Sequence, residues 1–168
     1  MSDARLVPPP VDALLDRWEA AWCGRDAAAF GPVCDPALQY EDPLTRAPLI
    51  GLDELAAHAE LLWQGFPDAR VERAGERLAD GSGRLVAAPV KLAGTHRGRL
   101  EGLPPTRRFV VVHGVVWCEL RGGRLQRVRA FFDRYDAAVQ LGMLPASGTL
   151  GEKALLALQG FGVRARRG

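Results

Sequence analysis

Asp133, His113 and His96 are the side chains whose types and settings best suit proton chemistry. Asp133 follows Phe131 and Phe132 at the end of an apolar stretch. Burial among such neighbours lifts a carboxylate's pKa towards neutrality, where one group can take a proton and later return it. The competing role is a helix N-cap, since Ala137, Ala138 and Val139 follow and Asp is a favoured cap. If Asp136 caps instead, Asp133 is free to serve a pocket. His113 lies inside the apolar run from Phe109 to Leu120. An unpaired imidazole there would cost on the order of a few kcal/mol, so it has a partner or faces a wet cavity. From a cavity wall it could donate a hydrogen bond to a developing oxyanion. His96 sits in a glycine-flanked loop, where catalysis competes with bonding to backbone that holds the loop. His58 lies beside the apolar face of a helix and reads as structural.

Arg127 and Arg129 precede Asp133 in the same stretch, and Arg129 shares strand parity with Phe131 and Asp133. A guanidinium beside Asp133 would pull its pKa down, the reverse of what a general acid needs. The pair could instead bind a carboxylate or activate water, or the arginines could cover a solvated outer face. Trp18, Trp22, Tyr40, Trp63 and Trp117 could wall a cavity for a flat polycyclic ligand or simply fill the core. Two or three of them are expected at the pocket, with Arg129 and Phe131 completing the substrate-binding set. No phosphate-binding glycine loop, nucleophile elbow or paired-histidine metal motif is present. Cys23, Cys34 and Cys118 are an odd, widely spaced set, which disfavours a disulfide framework or a structural zinc site.

The chain has 168 residues, 48% hydrophobic and 25% charged, with a net charge of +2. That is one folded domain with a sizeable core, and a near-neutral balance that does not suggest nucleic acid. A basic run, Arg164, Arg166 and Arg167, reads as a solvated tail. No N-terminal apolar stretch resembles a signal peptide, and no apolar run approaches the roughly 20 residues that span a bilayer. A reducing, cytoplasmic location and no membrane partner are expected.

Apolar residues at Val11, Leu14, Leu15, Trp18 and Trp22 mark one helix face, with Pro10 in its first turn and Gly24 at its end. Asp26 is placed to cap a short helix through Phe30. A short strand is expected around Leu38-Gln39-Tyr40, then a helix from near Asp53 to Phe66. The pattern then turns β-like. Residues 69–79 alternate loosely, Leu85 to Leu92 reads as a strand, and Phe109 to Leu120 reads as a strand covered on both faces. Gly122-Gly123 suits a hairpin into Leu125–Phe132, and a last helix runs from Glu152 to Leu158. Helices first and antiparallel strands after predict an α+β domain with helices packed on one curved sheet, enclosing a pocket. Residues 1–10 read as an arm, 11–145 as the domain, and 146–168 as a C-terminal helix and basic tail.

Several segments in order resemble the SnoaL-like polyketide cyclases of the nuclear-transport-factor-2-like superfamily. They are Trp18 to Trp22 with Arg25-Asp26, Tyr40-Glu41-Asp42-Pro43, and Gly51 before the helix ending in Phe66-Pro67-Asp68. The block Gly94-Thr95-His96-Arg97-Gly98 with Gly102-Leu103-Pro104-Pro105-Thr106 and the pattern of Asp133 with Gln140-Leu141-Gly142 are the more specific ones. The resemblance implies a cone-shaped, curved antiparallel or mixed sheet with N-terminal helices over its concave face, often dimeric through the outer face. It also implies intramolecular aldol closure of a polyketide, without cofactor, using the aspartate that matches Asp133. Relatives carry an acid and an aromatic where this chain has Arg127 and Arg129. A small hydrophobic or polycyclic ligand and a homodimer are the expected partners. Two other readings stay open. One is water activation of the epoxide-hydrolase kind by Arg129 and Asp133, with Asp42 as a distant candidate. The other is a ligand carrier or dimeric interaction module that does no chemistry.

Overall fold

Pro8, Pro9 and Pro10 fix the backbone for a helix start, and helix α1 runs from Pro9 to Gly24 with prolines in its first two positions. This computed structural model describes residues 5–100 and 102–159. Before α1 lies a two-residue strand, β1 (Arg5–Leu6). After it, Asp26 caps a 3-10 turn over Ala27–Phe30, accepting a hydrogen bond from the Ala28 N–H at 3.0 Å. The chain continues through β2 (Cys34–Glu41), β3 (Leu49–Ile50), α2 (Gly51–Gly65), β4 (Arg70–Arg73) and β5 (Leu78–Ala79). It ends with β6 (Leu85–Thr95), β7 (Phe109–Arg121), β8 (Arg124–Phe132), α3 (Arg134–Gln140) and α4 (Leu150–Leu158). The basic run Arg164, Arg166 and Arg167 lies outside the described residues.

The strands form one mixed, curved, open sheet in the order β1-β5-β6-β7-β8-β2-β3, with β4 paired to β6. Among the described strands only β2 and β8 run parallel; β6, β7 and β8 form a continuous antiparallel meander. Gly122 and Gly123 both hold positive φ, 57° and 74°, as a two-residue hairpin between right-twisted strands requires. The strand expected around Leu38–Tyr40 is longer than its propensities suggest. It includes Pro36, which is accommodated where the β2–β8 register shifts between Cys34 and Gln39.

Leu14, Leu15, Trp18 and Trp22 of α1 and Leu55, Ala59 and Trp63 of α2 face the sheet and join Val86, Ala88, Cys118, Leu125 and Val128 in the main core. The Trp63 indole N–H donates to the Trp22 carbonyl at 3.0 Å, tying the two helices together where their aromatic rings meet. A smaller cluster of Val110, Val112 and Leu141 closes the far end. Strand β7 departs from expectation. Its even-numbered residues Val110, Val112, Val116, Cys118 and Leu120 are buried, whereas Phe109, His113 and Val115 are exposed. The valine-rich run therefore has one covered face, the one on which the helices α1 and α2 pack.

Candidate active site

The side chains between the helices and the sheet leave a cavity of about 360 Å³. Trp18 and Trp22 of α1, Trp63 of α2, Phe66 just past its end, and Val90, Leu92, Val112, Val116, Val128 and Ala130 of the sheet line it. Leu100 and Leu103, from the loop between β6 and β7, and Leu141 and Met143 after α3 complete the apolar wall. Among the described lining residues only Asp42, Arg70 and Arg134 are charged.

Asp42 lies just past the end of β2. The register pairs Glu41 with Arg129, so the alternation of the strand turns Tyr40 and Asp42 towards the same inner side as Val128 and Ala130. The following Pro43-Leu44-Thr45 forms a tight turn around the carboxylate. Asp42 Oδ1 accepts from the Leu44 N–H at 2.7 Å and the Thr45 N–H at 3.0 Å. The Thr45 hydroxyl donates to the Asp42 carbonyl at 3.0 Å and sits 3.2 Å from its N–H. Oδ2 accepts from the Tyr40 hydroxyl at 3.0 Å and lies 2.7 Å from His58 Nε2. The Asp42 side chain is only 2% exposed, and that of His58 13%. Burial raises the Asp42 pKa, but the hydrogen bond and charge of His58, then the Leu44 N–H and the Tyr40 hydroxyl, outweigh it. The carboxyl is held below its ordinary 3.8. The Tyr40 phenol moves the other way, well above 10.0, first because it is buried and then because the Asp42 charge opposes a second anion.

Of the residues singled out from the sequence, Trp18, Trp22, Tyr40 and Trp63 line the cavity together. Phe131 touches its edge while lying 52% exposed. Arg129 and Trp117 are paired across β8 and β7, share the parity of exposed Val115, and do not line the cavity. Arg129 binds Glu41 at 2.8 Å and lies over the Phe131 ring at 5.8 Å. Arg127 reaches Glu41 at 3.4 Å and Glu119 at 3.8 Å. The Arg129 guanidinium is thus neutralised by Glu41 of the neighbouring strand. Asp133 is exposed and caps α3, accepting from the Tyr135 N–H at 2.8 Å and the Asp136 N–H at 3.0 Å. His113 is exposed on the outer face. His96 is fully buried, and its Nδ1 accepts from the Thr106 N–H at 3.1 Å, closing the base of the 97–106 loop.

The structure groups Asp42 with His58, a pairing that sequence reasoning did not make. The signal was available. His58 falls between Leu55 and Leu62 at three- and four-residue steps, on the inward stripe of α2 with Ala59. A histidine on an apolar stripe needs a buried partner, and the Asp-Pro turn after β2 supplies it. Among the described residues no group of three His, Cys, Asp or Glu side chains could hold a metal ion.

A helix-backed, open, curved sheet around an apolar pocket is the cone architecture of the nuclear-transport-factor-2-like proteins. Residues 12–141 match the SnoaL-like polyketide cyclases, and the chain belongs to that family. A search of curated protein sequences finds no match. Solved structures with the same fold include TsrD from Streptomyces laurentii, with a TM-score of 0.72, 18% identity, and coverage of 83% of this chain and 100% of that one. A protein from Jannaschia sp. CCS1, assigned as a SnoaL-like polyketide cyclase, gives a TM-score of 0.71 and 19% identity over 87% of this chain and 100% of its own. A protein with a ketosteroid isomerase-like fold from Catenulispora acidiphila, solved with trimethylamine, gives a TM-score of 0.64 and 18% identity over 82% of this chain and 95% of its own. At these identities the likeness establishes the fold.

Proposed function

We propose that this chain is a cofactor-independent acid–base enzyme that closes a ring in a polyketide-like small molecule. The observation that carries the reading is the cavity itself, about 360 Å³, walled by aromatic and aliphatic side chains with a buried carboxylate on its wall. A substrate with several carbonyl groups brings its own electrophile and its own acidic C–H. The protein then needs to supply shape, exclusion of water and a proton carrier, and this cavity is built to do so. Family membership supports the same chemistry. The reading includes a homodimer packed through the outer face of the sheet, where half-exposed Phe131 pairs with exposed Val115. It also includes a reducing, cytoplasmic setting, which suits three free cysteines. Among the described residues no helix is long and apolar enough to cross a membrane.

Titration with 1,8-dihydroxyanthraquinone, a flat polyketide-derived probe, tests the binding half of this reading. Trp18, Trp22 and Trp63 line the cavity, so an occupant quenches tryptophan fluorescence. Saturable quenching at micromolar probe is expected, together with conversion of an open-chain aromatic polyketide to an isomeric or dehydrated ring product. The absence of quenching by any such probe overturns the proposal.

A further inference from the structure

Within that acid–base reading, on which this step rests, the proton carrier can be located. We infer that Asp42 moves the proton, with the Tyr40 hydroxyl as donor to the substrate oxygen and His58 as the positioning residue that holds the carboxylate.

Among the described residues that line the cavity, Asp42 is the one acid. The charged groups that share the wall, Arg70 and Arg134, are guanidinium ions and do not give up protons in proteins. Asp133 spends Oδ1 on the Tyr135 and Asp136 amides and lies outside the wall. Asp42, by contrast, is set at a fixed height in the cone. Strand β2 delivers it, two backbone amides of the Leu44-Thr45 turn fix Oδ1, and His58 fixes Oδ2 from α2.

These contacts leave one adjustable partner. The amides belong to a turn and His58 to a helix, but a phenol hydrogen turns about its C–O bond without moving a heavy atom. When the Tyr40 O–H turns from Asp42 to a substrate carbonyl oxygen, the lone pair it occupied on Oδ2 becomes free and one of the bonds that hold the carboxyl below its ordinary range is lost, so the carboxylate becomes a stronger base as substrate binds. Oδ2 then takes the proton from a carbon flanked by carbonyls. The C–H electron pair forms the new C–C bond at the second carbonyl carbon, and that carbonyl's π pair moves onto its oxygen, stabilised by Tyr40. Asp42 returns the proton to this alkoxide. One C–H and one C=O π bond are exchanged for one C–C and one O–H bond, the carboxylate is regenerated, and no further reactant is needed. The apolar wall keeps water from quenching the carbanion and strengthens the hydrogen bond to the oxygen.

The test uses 2-tetralone, an apolar fused-ring ketone, in heavy water. Its binding is read by tryptophan quenching and its α-deuteration by mass spectrometry. Wild type is expected to accelerate deuteration over buffer. Asp42→Asn should slow it by about 100-fold with quenching affinity kept within about threefold, while Asp133→Asn stays near wild type. Tyr40→Phe, which keeps the ring and removes the donor, should slow it by at least about tenfold, and it serves if Asp42→Asn fails to fold by near-UV circular dichroism. His58 is tested by pH profile, the titratable groups that contact Asp42 being Tyr40 and His58. His58→Leu should move the acid limb to higher pH, and His58→Gln, whose amide nitrogen can reach Oδ2, should restore it in part. Bound 2-tetralone exchanging as fast with Asp42→Asn as with wild type overturns this inference and leaves the proposed function standing. Bound ketone that wild type does not exchange also overturns it. Failure of wild type to bind either 2-tetralone or the anthraquinone overturns the proposed function itself.

Discussion

Gln140 pairs with the backbone of Val111 in both directions, accepting from its N–H at 2.9 Å and donating to its carbonyl at 2.8 Å. Strand β8 stops pairing with β7 at Gly114, so the β8-side edge of β7 beyond that point lacks a strand partner and the side-chain amide supplies one. The same Nε2 donates to Asp136 at 2.8 Å. Seven residues earlier Asp133 caps the helix, and directly after Gln140 Leu141 inserts between Val110 and Val112. Gly142 then turns the chain at φ 78°, with the Arg108 guanidinium carbon 2.8 Å from where a Cβ would stand. The motif of Asp133 with Gln140-Leu141-Gly142 therefore fastens α3 to strand β7.

Two substitutions follow from this clamp. Gln140→Ala leaves the Val111 amide and carbonyl unpaired and should cost about 1–3 kcal/mol. Asp133→Ala removes the cap and should cost about 1 kcal/mol. Urea denaturation should record both as a lower midpoint with an unchanged slope. Turnover per folded molecule should stay within about threefold of wild type for Asp133→Ala.

The helices α1 and α2 and the hairpin at Gly122-Gly123 were legible in the sequence because each rests on a local signal. Period-3.6 apolar spacing, a turn dipeptide and a capping Asp are such signals, and Trp18, Trp22, Tyr40 and Trp63 fall where the helix and strand phases put them. The outward side of β7 was not legible, since a run of valines reads the same whether one face or two are covered. Nor was the Asp42–His58 pair, whose members stand 16 residues apart on different elements. Only the packing of α2 over the end of β2 brings them together. The resemblance drew attention to Asp133, but the geometry of a cap and of a pocket acid differ only in the third dimension.

His96 gives the protein a measurable pH dependence above the carboxylate range. Burial holds its imidazole below the ordinary 6.5, with the backbone of Gly98 offsetting part of the effect. The unfolded chain therefore takes up a proton near 6.5 that the folded chain refuses until lower pH. Stability from this site is full above that value and lost as pH falls from it towards the folded pKa. Urea midpoints measured between pH 7.5 and 5 should decline for wild type. His96→Asn, whose Oδ1 can take the place of Nδ1 and accept from the Thr106 N–H, should flatten that decline while retaining the loop.

The outer sheet face offers a test of assembly. Phe131 and Val115 are direct cross-strand partners, 52% and 39% exposed, beside the Glu41–Arg129 ion pair. In the proposed homodimer, a carboxylate at position 131 would set an unpaired charge between two copies of this patch. Phe131→Asp is expected to convert a dimer to a monomer in light scattering, with a dissociation constant raised at least about 100-fold. An unchanged mass for this variant would remove the face from the interface.

Gly98 lets the loop between β6 and β7 sit down on α2. A Cβ there would lie 1.8 Å from the Gln64 carbonyl oxygen and 2.7 Å from its carbon, both backbone atoms that cannot swing aside. The Arg97 and Gly98 amides donate to the Gly65 carbonyl at 2.9 and 3.1 Å, so this close approach is what seats the loop. Two residues further on, Leu100 begins the turn that places Leu100 and Leu103 against the cavity. Gly98→Ala must therefore lift the loop while leaving Asp42, Tyr40 and His58, on other elements, where they are. Stability should fall by about 1–3 kcal/mol, within the range of overpacked sites. The cavity loses its apolar cover on that side, so the affinity of an apolar ligand such as the anthraquinone probe should weaken by about tenfold. Quenching titrations and a KM that rises more than kcat falls would distinguish a displaced cover from a damaged proton carrier. Equal affinity in Gly98→Ala and wild type would mean that Leu100 and Leu103 contribute nothing to holding the ligand.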